Sequence, residues 1–290
     1  MKPVAFDYYR PTSVEEVHAL LASHGGGGKI LAGGQSLVPL LNMRLARPAA
    51  IIDINRVAAL EYLHANGDGL VLGALTRQQS LLENRAVAER YPLLVEAVRY
   101  IGHRQIRNWG TVGGSLAHAD PAAELPVTMV ALDAEITASS ARGARAIPAR
   151  EFFLDTLTTA LEPDELLASV RLPALSPGTG WSFLEVSRRH GDFALVAVAA
   201  LVTRDEAGVC TDARLVLGGV GPVPQVVEVR DLLIGQQPTP DAIAAAADVA
   251  GAVIEPASDV HATAEYRRHV ARVLARRALT TAVERAGGRR

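Results

Sequence analysis

Two stretches of this 290-residue chain set a glycine pair beside neutral hydrogen-bonding side chains: ILAGGQSLVPL at 30–40 and TVGGSLAHADPAAELP at 111–126. Gly33 and Gly34 run into Gln35 and Ser36, while Gly113 and Gly114 lie between Thr111 and Ser115. A pyrophosphate needs several N–H groups converging on it with no Cβ in the way, and a glycine pair allows that approach. The turn before SLVPLL also sets amides at the start of a helix, where the peptide dipoles favour an anion. One glycine pair alone reads as a tight loop. Two with matching neighbours point to a shared ligand. The common phosphate motifs do not fit: GGGGKI lacks the hydroxyl residue after Lys29 and the earlier glycine of a P-loop, and G-x-G-x-x-G does not occur.

The elements that must hold these turns follow from periodicity. Ser13 and Glu16 fit a capping box for a helix whose apolar stripe is Val14, Val17, Leu20 and Leu21, stopped by GGGG at 25–28. A strand KILA (29–32), a helix SLVPLLNMRLA (36–46) with Pro39 in its first turn, and a strand AIIDI (50–54) make a small β-α-β unit. EYLHANGDGLVLGAL opens a second unit with a hairpin turn at Asn66-Gly67, followed by a long helical stretch interrupted near Pro92. VTMVALDAEITASS reads as a helix end and then a strand, and ELLASVRLP (165–173) as the last strand of that unit. LSPGTG (175–180) is the linker candidate. Beyond it, WSFLEVSRR, ALVAVAALVTR and ARLVLGGVG read as three strands, and helices at 240–254 and 262–286 close the chain. The order argues α+β, with lobes at about 1–54 and 55–175 and a C-terminal domain at 178–290 that has a core of its own.

Composition bounds the partners. Hydrophobic residues are 49% and charged residues 21%, as in ordinary globular proteins. A formal net charge of −2 gives no electrostatic case for nucleic acid or an anionic membrane. The longest apolar run, FALVAVAALV (193–202), falls short of the roughly 18–20 residues of a membrane span. The start, MKPVAFDYYRPTS, has no apolar core of a secretory signal, and the single Cys210 suits a reducing cytoplasm. One cysteine also excludes an iron–sulfur cluster held by this chain alone, which takes about four ligands.

AGGQSLVPLLNMRL (32–45), NWGTVGGSLAHADPAAELP (108–126) and RRHGDFALVAVAA (188–200) together resemble the FAD-binding medium subunit of bacterial molybdenum hydroxylases, the carbon monoxide dehydrogenase and xanthine dehydrogenase type. The resemblance covers essentially the whole chain. It implies a two-lobed FAD-binding domain of the PCMH type and a smaller flavoprotein C-terminal domain with a three-stranded antiparallel sheet. It implies that Ala32, Gly33, Gly34, Gln35, Ser36 and Leu37 cradle the pyrophosphate from one side, and Thr111, Gly113, Gly114 and Ser115 from the other. Asp120 and Glu124 fall in the acidic tail, Glu124 matching the carboxylate that meets the ribityl chain. Ile101, Leu167, Asp192 and Phe193 match positions around the isoalloxazine ring. Carbon monoxide dehydrogenases of this family commonly carry His where Gln35 stands, which favours an N-heterocycle or another organic substrate.

The resemblance further implies an electron-transfer subunit. A large molybdopterin-binding subunit oxidises the substrate, a small subunit with [2Fe-2S] clusters relays electrons to FAD, and an external acceptor takes them, in a dimer of heterotrimers. A free-standing FAD-dependent reductase of the same fold is the alternative, and a flavin-free scaffold is the rival outside catalysis. A visible spectrum separates the scaffold from both enzymes, and co-purification with two further chains separates subunit from reductase. His103 and His118 beside the second motif, and the Arg run at 265–279, read as solvated or hydrogen-bonded groups, and Cys210 as a core residue.

Overall fold

The structure, a computed structural model, describes residues 2–286. Ser13 caps helix Val14–His24 by accepting from the Glu16 amide at 3.2 Å. The Glu16 carboxylate reaches back to the Thr12 amide at 2.7 Å, one residue upstream of the usual reciprocal bond. Gly25–Gly27 form a 3-10 turn, and strand Gly28–Leu31 follows. Strand Ala50–Asp53, buried at every position, is the centre of a three-stranded parallel sheet between Gly28–Leu31 and Asp7–Tyr9. The last of these was not foreseen, because DYY carries no alternation of its own and pairs only through the register Asp7 to Ala50. Helix Leu37–Asn42 crosses over between the two later strands.

The second lobe is a five-stranded antiparallel sheet. Its order is Leu63–Asn66, Gly69–Gly73, Leu166–Pro173, Glu135–Ser140, Gly143–Pro148. The predicted hairpin is the first pair. The helical stretch divides into Gln78–Glu83, Arg85–Arg90 and Pro92–Tyr100. Asn84 makes the first break, capping the next helix by accepting from the Val87 amide at 3.1 Å, and Pro92 makes the second at a first helical position.

After residue 178 comes an antiparallel sheet of four strands, Thr179–Ser187, Ala194–Arg204, Cys210–Gly218 and the short Gln225–Val227, one more than expected. Helices Pro240–Val253 and Ala264–Ala286 cover one face. The other face contradicts the expectation of a separate core. Phe183, Ala197, Ala199, Leu201 and Val216 belong to the same apolar cluster as Leu94, Val98 and Val127 of the second lobe. Strand Ala194–Arg204 is buried at nine successive positions, so both its faces need cover, and the second lobe supplies one. Glu96 ties the junction, accepting from the Trp181 indole (3.2 Å), the Phe183 amide (3.1 Å) and Arg285 (2.7 Å). No helix among the described residues is long and apolar enough to cross a membrane.

Candidate functional site

The first glycine turn leaves the parallel sheet at the end of Gly28–Leu31 and enters helix Leu37–Asn42. Gly34 has φ +72°, a conformation that other residues adopt only with strain. Gly33 is glycine for a different reason: a Cβ there would overlap the Trp109 carbonyl and Gly110 of the second motif. The two motifs are therefore in contact, and Ala32 lies beside Gly114. Among the described residues, the backbone amides of Gly33, Gly34, Gln35, Ser36 and Leu37 donate to no protein acceptor. Gln35 turns its side-chain amide to the Gly33 carbonyl at 3.0 Å. Five consecutive N–H groups without a protein acceptor at a helix start form a run of donors suited to phosphate oxygens.

The second motif is built differently. Thr111 caps helix Val112–His118, its Oγ1 accepting from the Gly114 amide at 3.0 Å. The Val112 and Gly113 amides donate to the carbonyls of Thr76 and Ala74, both at 2.9 Å, and Ser115 donates to the Thr111 carbonyl at 3.1 Å. These four amides are engaged within the protein, whereas the Thr111 amide, like those at 33–37, donates to no acceptor among the described residues, so the second motif offers fewer free amides than the first. Gly113 is small because a Cβ would overlap Ala74. The first motif presents donors, and the second forms the wall against which they stand.

One side-chain pair fastens the two. Asn55 donates to the Ala32 carbonyl at 2.8 Å, and its Oδ1 accepts from Arg77 at 2.8 Å. Arg77 in turn donates to the Trp109 carbonyl at 2.6 Å. Asp53 holds Asn55 through its Oδ1 (2.6 Å) and accepts from the Tyr8 hydroxyl (2.5 Å). Burial pushes the Asp53 carboxyl up, but the hydrogen bonds from Tyr8 and Asn55 outweigh it and hold it below the usual carboxylate range. Sequence reasoning missed Asn55, Arg77 and Asp53, since nothing in their spacing announces that they meet.

Past the second motif the chain turns at Ala119, and the Asp120 carboxylate accepts from the Ala122 amide at 2.9 Å. Glu124, the first residue of helix Glu124–Ala131, is buried, and burial, assisted by Asp120, pushes its carboxyl up to about 7. His118 is pulled down by burial, and His103 is exposed, its ring edge-on to His190 at 6.4 Å. Ile101 and Leu167 lie buried in the main apolar cluster. Gly191 sits against Gly102 and His103, which brings the loop of Asp192 and Phe193 beside Ile101. Asp192 pairs with Arg189 at 3.0 Å, and Phe193 is 67% exposed, covering nothing in this arrangement.

Glu185 is a further residue that sequence reasoning passed over. It stands on strand Thr179–Ser187 on the same face as Phe183, which packs on the Tyr100 ring at 5.5 Å. Among the described residues, both its carboxyl oxygens are buried without a hydrogen-bond partner. The signal was present: in WSFLEVS the alternation that sends Phe183 inward sends an acid inward too.

Fold and site together define a flavoprotein of the oxidoreductase class, with residues that fit a bound FAD. Residues 4–175 match the FAD binding domain in molybdopterin dehydrogenase, and residues 181–282 match the CO dehydrogenase flavoprotein C-terminal domain. The chain belongs to this family of FAD-binding subunits of molybdenum hydroxylases. It is similar to the 6-hydroxypseudooxynicotine dehydrogenase complex subunit alpha of Paenarthrobacter nicotinovorans, 46% identical over 99% of this chain and 97% of that one. Its structure is similar to carbon monoxide dehydrogenase of Hydrogenophaga pseudoflava lacking the Mo-pyranopterin moiety, with a TM-score of 0.95, 38% identity, and 98% and 99% of the two chains covered. Quinoline 2-oxidoreductase of Pseudomonas putida 86 is similar at TM-score 0.94 and 35% identity, over 99% of this chain and 100% of that chain.

Proposed function

We propose that this chain is the electron-transfer subunit of a heterotrimeric molybdenum hydroxylase that works in the cytoplasm on an organic N-heterocycle. The observation that carries the cofactor placement is the run of free amides at 33–37, backed by the packed second motif. In this reading those amides, with the Ser36 hydroxyl, hold the FAD pyrophosphate, and Thr111, Gly113, Gly114 and Ser115 close the site behind it. Glu124 meets the ribityl hydroxyls, and Ile101, Leu167, Asp192 and Phe193 surround the ring. FAD, when bound, supplies the redox step between a one-electron relay and an external acceptor. The protein residues bind and orient it, and Asn55 with Arg77 holds the two motifs in register.

The partners in this reading are a large molybdopterin-binding subunit and a small [2Fe-2S] subunit, assembled as a dimer of heterotrimers. The similar subunit of the 6-hydroxypseudooxynicotine dehydrogenase complex and the carbon monoxide dehydrogenase chain support it, and Gln35 with quinoline 2-oxidoreductase supports the substrate class. The domains divide near residues 175–178, between the two matched regions.

The test is a spectrum and a purification. The purified chain is yellow, releases intact FAD on denaturation, and co-purifies from its source with two further chains, one rich in cysteine. A colourless chain sinks the cofactor assignment. Substrate hydroxylation by the isolated chain sinks the subunit assignment.

A further inference from the structure

In the arginine run at 265–279, Arg268, Arg272, Arg276 and Arg277 are exposed, but Arg267 is buried. It lies on the stripe of helix Ala264–Ala286 that carries Val270, Ala271 and Leu274, three, four and seven residues on. The periodicity that docks the helix on the sheet therefore carries a guanidinium in with it. Burying a cation costs free energy unless acceptors meet it. Three do: Nη1 donates to the carbonyls of Leu195 (2.6 Å) and Gly219 (3.1 Å), and Nη2 to the Asp259 carboxylate (2.7 Å). Asp259 is itself held by the amides of His261 (2.8 Å) and Ala262 (2.9 Å). The Arg267 Nε is buried with no acceptor among the described residues, so a residue that only had to dock the helix would be apolar here. The two carbonyls belong to the ends of neighbouring strands. Leu195 stands two residues after Phe193, at the start of strand Ala194–Arg204. Gly219 follows strand Cys210–Gly218 with φ +73°, and a Cβ on it would lie 2.9 Å from the Leu195 carbonyl oxygen. Its amide donates to the Pro121 carbonyl at 2.9 Å, between Asp120 and Glu124. One guanidinium thus joins two candidate cofactor-side segments, the loop of Asp192 and Phe193 and the acidic turn of residues 120–124.

We propose that Arg267 is a positioning residue for the flavin half of bound FAD, holding the loop of Asp192 and Phe193 in register with the turn of Asp120 and Glu124 through the Leu195 and Gly219 carbonyls. This rests on the FAD reading above. Arg267 does not touch the cofactor in this assignment; it acts through the two strand ends. Without it the Leu195 carbonyl loses the donor that ties it to Gly219, and the ring-side loop is free to shift against the acidic turn. None of these contacts involves residues 32–37 or 111–115, so the half of the site assigned to the pyrophosphate keeps its geometry. The loss falls on the ribityl and isoalloxazine end alone.

The test uses the purified full chain stripped of flavin, with Arg267→Met and Arg267→Lys. FAD and ADP are titrated by calorimetry, and iodide quenching reads how exposed the bound flavin is. Arg267→Met weakens FAD by about tenfold, leaves ADP affinity unchanged and opens the bound flavin to iodide. Arg267→Lys keeps the charge but not the planar fork that spans three acceptors, so it recovers part of the FAD affinity and no more. A purely structural arginine lowers stability and leaves the ratio of FAD to ADP affinity at its wild-type value. The proposal is overturned if folded Arg267→Met keeps that ratio, or if FAD and ADP affinities fall together. If Arg267→Met does not fold, Arg267→Lys decides: a lowered ratio supports the proposal, and the wild-type ratio overturns it. A wild-type chain that takes FAD and ADP while the variants keep its ratio defeats the positioning role alone. One that takes neither defeats the FAD reading as well.

Discussion

Arg77→Ala removes the clamp between the two glycine motifs. Two hydrogen bonds go, to the Trp109 carbonyl at 2.6 Å and to Asn55 Oδ1 at 2.8 Å. Each has an ionised donor and contributes about 1.5–3 kcal/mol in a protein interior. Arg77 is half-buried, which puts both near the lower end, for a combined loss of about 3 kcal/mol. The second motif itself stays in place, because Gln78 still donates to the Gly110 carbonyl and Val112 to the Thr76 carbonyl, both at 2.9 Å. The effect falls instead on the register of residues 33–37 against 109–114, and so on FAD affinity. A drop of 10- to 100-fold, roughly 1.4–2.8 kcal/mol, is the expected result. Arg77→Lys keeps the charge but presents a single ammonium that does not span both acceptors, and it falls between wild type and alanine. Flavin-to-protein ratio by absorbance, FAD titration by fluorescence quenching, and circular dichroism on both variants make the measurement. A folded Arg77→Ala chain that saturates with FAD at wild-type affinity would refute the clamp.

Two further outcomes follow from Glu124 and Glu96. In the flavin-free chain Glu124 has its carboxyl raised from 4.5 to about 7, so the folded state is favoured fully below about pH 4.5 and loses that advantage as pH rises to about 7. The loss is of the order of 3 kcal/mol, Glu124→Gln flattens it, and urea unfolding at pH 5 and pH 8 reads it; an unchanged pH slope contradicts the assignment. Glu96→Ala leaves the Trp181 indole, the Phe183 amide and Arg285 without their shared acceptor. It lowers stability by about 2–3 kcal/mol as one transition, since both domains share an apolar cluster; two separated melting transitions would show the cores to be independent after all.

Local chemistry was enough to read much of this molecule from its sequence. The Ser13 cap, the β-α-β order of the first lobe, the hairpin beside Asn66 (its turn at Gly67-Asp68, one residue later than expected) and the two closing helices each depend on residues a few positions apart. The two glycine motifs were legible for the same reason, as was the family they signal. What the amides in those motifs do was not. Whether a backbone N–H is free depends on which carbonyl the fold brings to it, and Ala74 and Thr76 reach the second motif from a strand end about 38 residues away in sequence. The three-residue strand Asp7–Tyr9 exists only because Ala50–Asp53 offers it an edge. The C-terminal sheet shares its core with the second lobe because a strand apolar on both faces must be covered twice, and no local signal says by what. Asn55, Arg77 and Glu185 are ordinary polar residues in the sequence; long-range packing alone sets the first two across a motif junction and buries the third without a partner among the described residues.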